Sequence, residues 1–191
     1  MNNQNMSDDA CRYLKRFDEI LYEMSYKMLS QNITNSITTN FIECMIPHHQ
    51  AAIYMCENLL KYTNYPPLIK IATDIIQTQT KGIEEMKEVL KTSKNYTNSK
   101  VNVRWYMNKY FRITKHMINR MKNSLRTKKI NLNFTSEMIP HHEGAIQMCN
   151  NLLQYSIDPK LKAIAENIIS QQSQGVIELK KIQSNLKNMT K

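Results

Sequence analysis

The chain states one pattern twice, 93 residues apart and without a gap. FIECMIPHHQAAIYMCENLL starts at Phe41 and returns as FTSEMIPHHEGAIQMCNNLL starting at Phe134. From Phe41 to Lys87, about half of the positions are identical to those from Phe134 to Lys180. Pro66 matches Pro159, Leu68 matches Leu161, Gln79 matches Gln172 and Gly82 matches Gly175, while upstream Met24 and Met28 fall on Met117 and Met121. A constant offset of this length marks duplication of a whole structural unit. The expected organisation is one helical domain over 1–191, with repeat 1 over 1–97 and repeat 2 over 98–191 related by a pseudo-two-fold axis.

Each unit reads as three helices. Only three glycines and five prolines interrupt a chain rich in Leu, Ile, Met, Lys and Glu, which excludes a β-rich fold. The first helix is expected from Asp8 to Ser30, capped by Ser7 or Asp8, with Phe17, Leu21, Met24 and Met28 on one stripe. Its counterpart is expected from Ser99 to Arg126. The second helices are expected to start near Asn40 and Asn133, and the third near Pro66 and Pro159, where proline suits the first helical position. Pro47 and Pro140 fall inside the second helices and predict a kink or a late start, because proline removes a backbone donor and crowds the preceding turn.

Chemistry concentrates in the repeated motif. Four of the five histidines lie in two adjacent pairs, His48-His49 and His141-His142. At about 100° per residue, Met45, His49, Ala52 and Cys56 share a narrow helical stripe, with His48 and Met55 beside it. Met138, His141, His142, Met148 and Cys149 repeat that arrangement. Imidazole, thioether and thiol form a soft-to-borderline donor set suited to copper, Cu(I) above all. A histidine on an apolar helix face often serves only as a hydrogen-bonded core residue, and a methionine stripe often only packs. Adjacent imidazoles argue for more than packing, since they repel when both are charged. Two motif copies imply two equivalent sites whose affinity falls as pH drops through about 6.5.

The pattern MIPHHxxAIxM with an LL tail, an IIxxQ segment and a second MIPHH copy resembles the domain-of-unknown-function family numbered 305. The resemblance covers most of the chain. It implies a ferritin-like helical bundle, and copper binding through Met and His as in some members. Carried over residue by residue, it lands on Met45, His48, His49 and Met55, and on Met138, His141, His142 and Met148. The third helices depart from the family's QxxEIxxM pattern: Gln79 is followed by Gly82 and Met86, and Gln172 by Gly175 and Leu179. Cys56 and Cys149 stand where a small residue is common and add two thiols to the donor set.

Other chemistries fit poorly. Carboxylate-bridged di-iron sites need Glu-x-x-His pairs, and none occurs. Zinc hydrolysis would call for three His or carboxylate ligands and a base, and HExxH is missing. No nucleophile–base pair or phosphate loop is evident, so no enzymatic activity is expected. Cys11, Cys44, Cys56 and Cys149 lack the spacing of a disulfide scaffold. The polar, acidic start lacks a leader pattern, and no apolar run is long enough to span a membrane, so a cytoplasmic protein is expected.

Charge supplies the rival reading. Net charge is +10, and no acidic residue lies between Glu88 and Glu137. Lys100, Arg104, Lys109, Arg112 and Lys115, interleaved with Trp105, Tyr106 and Tyr110, could meet nucleic acid or an anionic surface, with the His pairs as core. Asp18, Glu19 and Glu23 could instead neutralise this basic helix across the repeat interface. With no nucleic-acid-binding signature present, metal sequestration or transfer ranks first. The expected partners are a metal ion and a metal-transfer protein, and the duplicated surface is compatible with assembly of copies.

Overall fold

The computed structural model describes residues 6–188, which form six helices and no strands. Residues 1–5 and 189–191 lie outside the described residues. The helices are α1 (Asp8–Leu29), α2 (Ile37–Leu60), α3 (Pro66–Leu90), α4 (Lys100–Lys122), α5 (Ile130–Leu152) and α6 (Pro159–Asn188), with a single 3₁₀ turn at Ser93–Asn95 before α4. Among the described residues, no helix is long and apolar enough to cross a membrane.

Start signals act largely as the sequence implies. Ser7 caps α1 by accepting from the Ala10 N–H at 3.3 Å. Pro66 opens α3, and Asp158 accepts from the Lys160 N–H at 2.7 Å as α6 begins. The second helices begin three residues earlier than expected, at Ile37 and Ile130. Ser36 takes the cap of α2, its hydroxyl accepting from the Thr39 N–H. That frees Asn40, one turn inside, to fold the preceding link back: its Oδ1 accepts from the Thr34 N–H at 2.8 Å and its Nδ2 donates to the Thr34 carbonyl at 3.0 Å. Asn133 holds Thr127 in the same way, at 3.0 and 2.7 Å. The asparagines were real signals of a boundary, but they tie the link rather than cap the helix.

Three further expectations are corrected. α4 ends at Lys122, not Arg126, and beyond the helix end Arg126 makes a bidentate pair with Asp18 at 2.9 and 2.7 Å. Of the three acidic residues expected to neutralise the basic helix, only Asp18 crosses the interface, and it pairs with Arg126 just past the helix end. Glu19 and Glu23 pair within α1, with Arg16 and Lys27. Neither proline delays or breaks its helix: α2 and α5 run through Pro47 and Pro140.

Within each half the second helix packs against the first and third; between halves each helix meets its own counterpart, α1 with α4, α2 with α5 and α3 with α6. Equivalent bonds recur on both sides. Asn58 donates to the Tyr13 carbonyl at 3.0 Å, and Asn151 to the Tyr106 carbonyl at 3.1 Å. The apolar core runs through all six helices, and α2 and α5 are its central pair, buried almost throughout.

Candidate functional site

α2 and α5 cross at the histidines. The rings of His48 and His141 stack with centroids 3.7 Å apart and planes inclined by 26°. His48 Nε2 lies 3.3 Å from the His141 carbonyl oxygen, and His141 Nε2 lies 3.1 Å from that of His48. A carbonyl only accepts, so both Nε2 atoms carry protons and both Nδ1 atoms carry the lone pair. Those Nδ1 atoms are buried without a partner, as are the Nδ1 atoms of His49 and His142. His49 sits 6.1 Å from His48, and His142 5.9 Å from His141, centroid to centroid. The two motif copies therefore meet as one cluster of four imidazoles rather than as two separated sites.

The rings are uncharged. Burial, reinforced by the neighbouring imidazoles, holds His48 and His142 well below the ordinary histidine value. Burial lowers His49 to about 3, with the His141 charge adding to it and the Met45 carbonyl opposing it. His141 is lowered by burial to about 4. Stacked neutral rings tolerate contact that two cations would not.

The outer rings press on glycine. A Cβ at Gly82 would lie 3.1 Å from His49 Cδ2 and Nε2, and one at Gly175 would lie 2.8 and 3.0 Å from the same atoms of His142. Glycine costs a helix interior about 1 kcal/mol relative to alanine, and here it admits a ring. The sequence flagged this position only as a departure from the family pattern; the ring packed against it gives the physical reason. Gly175→Ala should lose about 1–2 kcal/mol, the crowding of a buried ring outweighing the helical gain. Gly82→Ala, with its looser contact, should come out near neutral. Urea unfolding of the two variants side by side would measure the difference.

The other sequence-identified donors are buried but sit at different distances from the rings. Met45 and Met138 lie three residues before His48 and His141, one turn away. Met55 and Cys56 on α2, and Met148 and Cys149 on α5, lie seven residues beyond the rings, about 10 Å along the helix axis. Burial raises both thiols far above the ordinary range, so they are protonated. Cys56 lies near Tyr13 and Cys149 near Tyr106, which places both thiols in the tyrosine layer. Met117 packs against Gly144, and Met24 lines a small depression with Pro47 and Ala51. Among the described residues, no three His, Cys, Asp or Glu side chains converge as a ready-made metal cage.

Sequence reasoning missed the tyrosine layer. Tyr13 donates to Glu137 Oε2 at 2.5 Å, and Glu137 is buried with its other oxygen unpartnered. Burial pushes the Glu137 carboxyl up to about 8, against the pull of the Tyr13 bond and of Arg126. The repeat counterpart of Glu137 is Cys44, raised by burial to about 11, whose thiol donates to the Met28 carbonyl. The visible signal was a mismatch, an acid in one motif copy opposite a thiol in the other.

An all-helical bundle with a buried histidine and methionine crossing at its centre is the class that fold and site define. A family model described as "Domain of unknown function (DUF305)" matches residues 15–90 and 38–183, and the chain belongs to that family. Among solved structures, CopM in the Ag-bound form obtained by soaking is 27% identical, covering 80% of this chain and 98% of that one with a TM-score of 0.58. CopM in the Cu(II)-bound form is 26% identical, covering 78% and 97% with a TM-score of 0.57. No curated protein matches the chain.

Proposed function

We propose that this protein binds a soft transition metal, copper and most favourably Cu(I), for sequestration or transfer rather than catalysis. One observation carries the reading: four buried, uncharged imidazoles meet at the centre of the bundle, each with an Nδ1 atom that no protein group bonds, and in His48 and His141 that atom carries the lone pair. An unpartnered buried polar atom costs about 1–3 kcal/mol, and the arrangement holds four of them. A metal ion would take up those lone pairs. Titrated imidazoles could not, because a protonated ring does not coordinate.

The donor set fits the metal in kind. His48, His49, His141 and His142 would supply imidazole, and Met45 and Met138, one helical turn before the rings, thioether. Met55, Cys56, Met148 and Cys149 extend the soft-donor line along α2 and α5. A bound copper ion would act as cargo, held away from water and oxygen by the surrounding core. CopM, with its Ag- and Cu(II)-bound forms, supports a metal of this class. Among the described residues no three His, Cys, Asp or Glu side chains already converge, so binding would draw on the methionines or on side-chain rotation. Titration of the reduced protein with Cu(I), read by native mass spectrometry, should give a defined stoichiometry. Failure to retain copper or silver would overturn the proposal.

A further inference from the structure

A cleft of about 360 Å³ opens between α3 and α6, with His142 in its lining. The chain has 26 Lys and Arg residues, yet none lines this cleft. Asp74 and Glu178 do. Deeper in the lining lie Gln79 and Gln172, only 3% and 2% exposed, each with a side-chain oxygen that is buried and unpartnered. Gly175 completes the path, since its missing side chain lets the Cδ2–Nε2 edge of His142 pack against α6 at the cleft's inner wall. An amide oxygen only accepts, so two orphaned oxygens beneath a carboxylate rim favour a cation. Lys70 reaches Asp74 at 2.6 Å from an exposed position, while Glu178 accepts from Gln174 at 2.8 Å.

We infer that this cleft is the port by which a metal cation reaches the buried imidazoles, and that the His142 side is its mouth. The inference rests on the metal-binding reading above. The opposite side differs in charge. There Lys81 stands at the repeat position of Gln174 and pairs at 3.6 Å with Glu85, the counterpart of Glu178. A lysine at that point repels an approaching cation, whereas a glutamine does not. Gln79 and Gln172 would receive the ion after the rim and pass it to His142, exchanging water for amide oxygen and then for imidazole. No bond to the protein is broken.

Rapid mixing of the reduced protein with Ag⁺ in a chloride-free buffer, quenched and read by mass spectrometry, gives the uptake rate. Gln174 is exposed, so Gln174→Lys should fold normally and install the charge found on the other side. It should slow uptake about five- to tenfold at low salt, leave the final stoichiometry unchanged, and lose its effect near 1 M salt, where screening acts within about 3 Å. Gln172→Leu should slow uptake at both salt concentrations. Equal rates for the unaltered chain and Gln174→Lys at low salt would overturn the port while leaving metal binding intact. No silver uptake by the unaltered chain would overturn both.

Discussion

Acidification should unfold the metal-free protein steeply, with a midpoint between about pH 6 and 4.5. In the unfolded chain all four motif histidines take up protons near pH 6.5. In the fold, His141 resists until about 4 and His49 until about 3, with His48 and His142 also held well down. A base with a depressed folded pKa contributes stability that is present above its unfolded value and lost as pH falls toward its folded value. Each imidazole costs about 1.4 kcal/mol per pH unit in that window, so four approach about 5 kcal/mol per unit. Glu137 works in the other direction. Its carboxyl, raised to about 8, favours the fold as pH drops from 8 toward the unfolded carboxylate value near 4.3, and offsets about one histidine. Against a typical total stability of about 5–15 kcal/mol, the remaining slope is enough to empty the native state within about two pH units. Helical circular dichroism against pH would follow this, and a fold intact at pH 4 would contradict it. Metal retention should track the same transition, because buried rings do not lose their lone pairs at pH 6.5 as exposed ones do.

Replacing His48 and His49 together by glutamine should remove well over half of the bound metal and weaken what remains at least about tenfold, or about 1.4 kcal/mol. Two independent sites would lose half and keep the rest at full affinity. The difference arises because the His48 ring stacks on His141 and donates to its carbonyl, so His141 loses its stacking neighbour and that cross-helix bond at once, keeping only its own bond to the His48 carbonyl. Glutamine keeps polarity and approximate volume, which limits the loss of stability. Native mass spectrometry with a competing chelator separates the two outcomes, and a residual half-stoichiometry at unchanged affinity would count against a shared cluster.

Periodicity and boundary residues made the helical architecture legible, because apolar spacing and capping act locally. Ser7, Pro66 and Asp158-Pro159 marked helix starts for that reason. Asn40 and Asn133 misled by three residues, since an asparagine can tie a neighbouring link as well as cap a helix, and only the folded link decides which. The motif residues were legible as a donor set, yet their arrangement was not. That His48 would lie on His141, while Cys56 and Cys149 joined the tyrosines, depends on how α2 crosses α5, and no residue spacing along one helix encodes a crossing. Tyr13 and Glu137 escaped notice because they meet across 124 residues of sequence.

Helices in the two halves pair with their own counterparts, which makes the interface between halves isologous, the kind formed by two-fold homodimers. What joins the halves is the segment from Lys91 to Ser99, which acts as a tether raising the local concentration of one half around the other. A separated half would present His48, His49 and the apolar face of α2 to water, and its lowest-energy escape is a second copy of itself. Cleavage within that tether should therefore leave two fragments that stay together, and a shortened chain carrying one motif should dimerise rather than remain folded alone.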